Sequence, residues 1–206
     1  MSRRTTALTA AALSLLPLGQ PLLPGTLGIA AATAAAVLHQ GAAVAQDASA
    51  AAAAARIAEA ITVRIEGATQ GSGVIVKREG NRYTVLTAWH VVSGNRPGEE
   101  VGIYASDGKE HQLEQGSIER LGQVDMAVLS FTSSGSYETA RLADVKNISM
   151  GSAIFVAGFP LSTSAVPLRL LRFLKGDVIA NATVAIPNGY QLLYSNPTLP
   201  LSLIHI

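Results

Sequence analysis

From Ile61 onward the chain is cut into short β-rich runs by glycine-bearing turns, and this rhythm limits the fold more than any other feature. "ITVRIEG" alternates apolar and polar residues from Ile61 to Glu66. "GVIVKREGNRYTVLTA" holds two such runs around Glu79-Gly80-Asn81, a hairpin signature. "EVGIYASDGKEHQLE" repeats the device, with Asp107-Gly108 as its turn. "MAVLSF" and "SAIFVAGFP" are further strands, the second closed by Gly158-Phe159-Pro160. "LRLLRFLKGDVIANATVAI" reads as strands about a turn at Lys175-Gly176-Asp177, although helical periodicity competes in its front half. "YQLLYS" is the last clear strand. Many short strands at close, regular spacing predict an all-β barrel or sandwich.

The residues before this region differ in texture. Segment 1–45 opens with Arg3 and Arg4, runs through apolar and small residues, and ends in Ala43-Val44-Ala45, a small-residue cleavage signature. It reads as a signal peptide or export segment. Pro17, Pro21 and Pro24 break its longest apolar run, so cleavage is favoured over an anchor, and no stable membrane association is expected afterwards. Segment 46–60 is alanine-rich, with Asp47 or Ser49 as a possible N-cap, and reads as a short helix or a linker. Export places the protein in the periplasm or outside a bacterial cell. The chain has no cysteine, so disulfides and thiolate metal sites are excluded. Its four histidines lack the spacing of a zinc site, and no cofactor is expected. A net charge of +1 with scattered basic residues predicts no nucleic-acid partner.

Two stretches could carry chemistry. In "YTVLTAWHVVSG" a strand from Tyr83 to Thr87 runs into Ala88-Trp89-His90. A histidine at the end of a stiff strand has the rigidity a general base needs. In "QVDMAVLSF", Asp125 immediately precedes an apolar run, 35 residues after His90. A carboxylate drawn to the core's edge can orient a histidine and stabilise its imidazolium. Either residue alone is ordinary: a histidine after a strand is usually a surface group, and an aspartate before one is usually a turn residue.

The combination resembles a known family. Gly71-Ser72-Gly73, Thr87-Ala88-Trp89-His90-Val91 and Asp125-Met126-Ala127-Val128-Leu129 are similar, in order, spacing and strand context, to the N-terminal half of bacterial trypsin-like serine peptidases, including their HtrA-like branch. "GSAIFVAGFPL" further resembles the strand that opens the second barrel of that fold. The resemblance covers about residues 60 to 200. It implies an all-β, double β-barrel chymotrypsin fold with an active site in the cleft between barrels. By the same resemblance, His90 is the general base, Asp125 its orienting partner, and a protein or peptide the substrate.

The family's third member is a serine in G-x-S-G-G, whose glycines let backbone N–H groups face the developing oxyanion. No serine of this chain stands in that frame. Ser72 precedes His90 and belongs to the lead-in to the hairpin. Ser152 precedes a strand, Ser162 and Ser164 lie in a loop without glycine, and Ser195 is followed by Asn196-Pro197. "YSNPTLP" is similar to the segment that leads into the nucleophile, and the pattern departs at Leu201. Residues 61–200 are therefore expected to be an incomplete peptidase domain with an incomplete second barrel, and 201–206 a non-native tail in which Ser202 is no nucleophile. The expected function is serine endopeptidase by family, with the chain inactive as given. The alternative is a non-catalytic binding or scaffold protein of the same fold.

Overall fold

The computed structural model describes residues 46–160 except 97 and 115, together with 170–182, 191–196 and 204–205. The expected export segment and Ser202 lie outside the described residues. Helix α1 occupies residues 46–61, where the alanine run favours helix because alanine gives up no side-chain freedom there. It buries Ala58 and Ile61. No described helix is long and apolar enough to cross a membrane.

Seven strands build the first sheet: β1 (Thr62–Glu66), β2 (Gln70–Glu79), β3 (Arg82–Thr87), β4 (Gly102–Tyr104), β5 (Glu110–Gln112), β6 (Glu119–Arg120) and β7 (Ala127–Thr132). Their order is β5-β4-β1-β2-β3-β7-β6, with antiparallel neighbours throughout. The sheet curls until its far sides meet. Leu113, just past β5, bridges Phe131 of β7, and the Glu114 N–H donates to the Ser130 carbonyl at 2.8 Å. Joining β5 to β7 in this way turns the sheet into a barrel-like wall and pairs strand groups that would otherwise face water.

Inside lie Val63, Ile75, Tyr83, Val85, Leu129 and Phe131, all fully buried. Tyr83 stacks on Phe131 with ring centroids 5.1 Å apart, while its hydroxyl donates to the Gly135 carbonyl at 2.7 Å. The large ring is thus buried without stranding its polar atom. The hairpin expected at Glu79-Gly80-Asn81 is the β2–β3 connection, and Gly80 takes φ +60°. The Asp107-Gly108 turn joins β4 to β5. The alternation in β1 does not mark a water-facing side, because Thr62 and Arg64 are buried too. Arg64 pairs with Glu66 and lays its guanidinium over the Tyr104 ring, 3.8 Å from the centroid.

The second sheet runs β10-β9-β8-β11, from β8 (Ala153–Gly158), β9 (Arg172–Asn181), β10 (Leu192–Tyr194) and β11 (Ile204–His205). Here one sequence expectation is corrected. Lys175-Gly176-Asp177 is no turn; it lies inside β9, a continuous ten-residue strand paired with β8 from Arg172 to Asp177. Gly176 serves close packing instead. A Cβ at this position would run into the Asn196 side chain, whose amide donates to the Leu174 carbonyl at 3.0 Å. A glycine inside a strand often marks such close approach. The helical alternative for the front of this segment also fails at Arg172–Leu174, which are strand.

Candidate active site

Strand register brings His90 and Asp125 together. In the β3–β7 ladder Thr87 lies opposite Ala127. The chain leaving β3 and the chain entering β7 therefore emerge at the same end of the sheet. The strand ends at Thr87, where the sequence placed its end, and His90 follows on a helical turn rather than on the strand itself. Ala88, extended at φ −75° and ψ 140°, starts one helical turn, α2 (Trp89–Val92). Val91 and Val92 face the core, which turns His90 outward. The Val91 carbonyl also accepts the Thr69 hydroxyl at 2.5 Å, tying the turn to the β1–β2 connection.

Asp125 engages His90 twice. Its Oδ1 accepts the His90 backbone N–H at 2.9 Å, and its Oδ2 lies 2.7 Å from Nδ1 of the ring. An ionised carboxylate only accepts, so Nδ1 carries the proton and Nε2 keeps its lone pair when the ring is neutral. The His90 side chain is 55% exposed and that of Asp125 31%. Burial works against ionising Asp125. The hydrogen bonds from the His90 ring and backbone, with the nearby His90 and Arg120 charges, outweigh it and hold the carboxyl below its ordinary range.

Ser72 and Ser195 make their bonds elsewhere. Ser72, fully buried in β2, accepts the Phe159 N–H at 2.7 Å, and its own carbonyl accepts the Thr87 hydroxyl at 2.8 Å. This chain of contacts links the end of β3 to the second sheet. Nothing in the sequence marked Ser72 for that role, since its partner is 87 residues away. Ser195 Oγ accepts the Asp177 N–H at 3.0 Å and extends the pairing of the second sheet. Ser162, Ser164 and Ser202 lie outside the described residues. A cleft of about 490 Å³, walled by α1, β1, β4 and, from the second sheet's side, Phe159, Leu171 and Phe173, has neither His90 nor Asp125 in its lining. Among the described residues, no group of three or more His, Asp or Glu side chains could hold a metal ion.

A family model for the trypsin-like peptidase domain matches residues 71–192, a stretch that contains His90, Asp125 and the strands β3 to β9. The serine protease Do-like HtrA of Lactobacillus helveticus is 26% identical over 100 residues, covering 48% of this chain and 23% of that protein. Its namesake from Lactococcus lactis subsp. lactis (strain IL1403) is 28% identical over 95 residues, covering 46% of this chain and 22% of the relative. The chain thus matches less than a quarter of the length of these relatives. A crystal structure of Deg5 superposes with a TM-score of 0.56 at 18% identity, over 71% of this chain and 75% of that one, and so shares its fold. On the family match across well over half its length, the chain belongs to the trypsin-like peptidase domain family.

Proposed function

We propose that the chain carries the general base and the orienting carboxylate of an exported serine endopeptidase that cleaves protein or peptide substrates. His90 is the general base and Asp125 its orienting partner. The observation that carries this reading is the double engagement of His90 by Asp125, through ring and backbone at once. It presents Nε2 to solvent in the proton-accepting state. A serine hydroxyl at Nε2 gives its proton to His90 as Oγ bonds to the scissile carbonyl carbon. His90 then returns that proton to the amine as the C–N bond breaks. Asp125 holds the tautomer and balances the imidazolium charge in between.

No serine in the 206 residues stands in the G-x-S-G-G frame, so the chain as it stands hydrolyses no peptide. Export rests on the leader-like segment 1–45. The test is hydrolysis of an unfolded protein by the chain extended past Pro200 with a G-x-S-G-G segment and the remaining strands of the second barrel. Activity that His90→Ala abolishes is expected. Hydrolysis by His90→Ala at the parent rate would remove His90 from the reaction.

A further inference from the structure

Both oxygens of Asp125 are committed to His90, so the geometry of the pair depends on what fixes the turn that carries Asp125. That turn joins β6 to β7. Arg120 lies opposite Ala127, the Leu121 N–H donates to the Met126 carbonyl at 2.9 Å, and Gly122 takes φ +59°. Two carbonyls within the turn face the Arg120 side chain. Nη2 donates to Gln123 O at 3.3 Å and Nε to Val124 O at 3.4 Å. The guanidinium carbon also lies 5.4 Å from the centroid of the Trp89 ring. Val124 immediately precedes Asp125, and Trp89 immediately precedes His90. One planar cation therefore touches the neighbours of both members of the pair.

We propose that Arg120 is a positioning residue, clamping the Asp125 turn against Trp89 and thereby setting the two hydrogen bonds between Asp125 and His90. The inference deepens the functional reading above and rests on it only for its consequence in catalysis. An arginine suits the task because its fork reaches two carbonyls while its plane lies over an aromatic face; a lysine ammonium offers a point charge without the plane. The bonds are long and Arg120 is exposed, so each contact alone is weak. Their effect comes from acting together on one short turn. The bland alternative, a surface cation beside a tryptophan, predicts no change at His90 when Arg120 is replaced.

The experiment is NMR on the 206-residue chain, reading exchange of the His90 backbone N–H and the resonance of its Nδ1–H. Asp125→Asn sets the scale for a broken pair. In Arg120→Gln the His90 N–H is expected to exchange about tenfold faster, with the Nδ1–H signal broadened, while amides of Val85 and Leu129 keep parent rates. Arg120→Lys should resemble Arg120→Gln. A His90 N–H rate in Arg120→Gln indistinguishable from the parent would overturn the clamp. So would full restoration by lysine, which would reduce the role to charge. Neither signal requires catalysis, so a failed clamp is distinguishable from a failed peptidase reading, which shows instead as hydrolysis independent of His90.

Discussion

The two sheets use their apolar residues differently. The first encloses them: Val63, Ile75, Tyr83, Val85, Leu129 and Phe131 have essentially no exposure, and a bridge from Leu113 to Phe131 draws the sheet round on itself. The second buries Val156, Ala157 and Val178, while Ile179 and Leu193 stand 57% and 53% exposed. Its aromatic pair, Phe155 and Phe173, stacks at 5.0 Å, yet both rings are only half-buried. His90 and Asp125 sit on the segments that leave β3 and enter β7 of the first sheet. Their separation is set by a ladder whose flanking residues, Thr87 and Ala127, are buried. A base that must hold its geometry is thus carried by the more tightly packed part of the molecule, and the second sheet is tied to it by contacts such as Ser72 to Phe159.

This contrast can be broken by matched truncations. Phe131→Ala removes a fully buried ring stacked on Tyr83 and His111, and should cost about 3–5 kcal/mol in denaturant unfolding. Phe155→Ala, at a half-buried site, should cost about 1 kcal/mol. Equal costs would mean that the two sheets are packed alike. Ser72→Ala tests the tie between them. It leaves the Phe159 N–H without its acceptor at 2.7 Å, which should cost roughly 1–3 kcal/mol. Amide exchange should rise in the second sheet while that of Val85 in β3 stays at its parent rate. A uniform rise in both sheets would contradict the assignment.

The smallest expected effect is a titration. Asp125 has its folded pKa below the ordinary value near 3.9, so its contribution to stability is present above that pH. It is lost as pH falls through the depressed value. His90→Ala removes the ring hydrogen bond and the ring charge, and leaves the backbone N–H of residue 90 and Arg120 against burial, so the Asp125 midpoint should move upward by carboxyl NMR. A midpoint that stays or falls would mean that His90 does not govern this carboxylate.

Much of the first sheet was legible because hairpins announce themselves locally. Gly80 and Gly108 fall between runs of β-formers, and both turns lie where the sequence predicts them. Gly176 misled for the opposite reason: the same residue type served close packing against Asn196, a partner 20 residues away that no local pattern reveals. The strand β6 and the turn before Asp125 were missed because Glu119 and Arg120 make only a two-residue strand with no periodicity to detect. His90 and Asp125 were legible as a motif pair. Their doubled hydrogen bond, the one-turn helix α2 that aims His90 outward, and the contacts of Arg120 and Ser72 depend on register and on distant partners, and only the folded chain displays them.

The central claim is that Asp125 makes His90 a competent base. It is tested most directly by the rate at which the chain, extended past Pro200 with G-x-S-G-G and the remaining strands of the second barrel, hydrolyses an unfolded protein, with and without Asp125→Asn. The account predicts a fall of about four orders of magnitude with folding intact, because an amide favours the wrong tautomer at Nδ1. An Asp125→Asn enzyme as fast as its parent would contradict it.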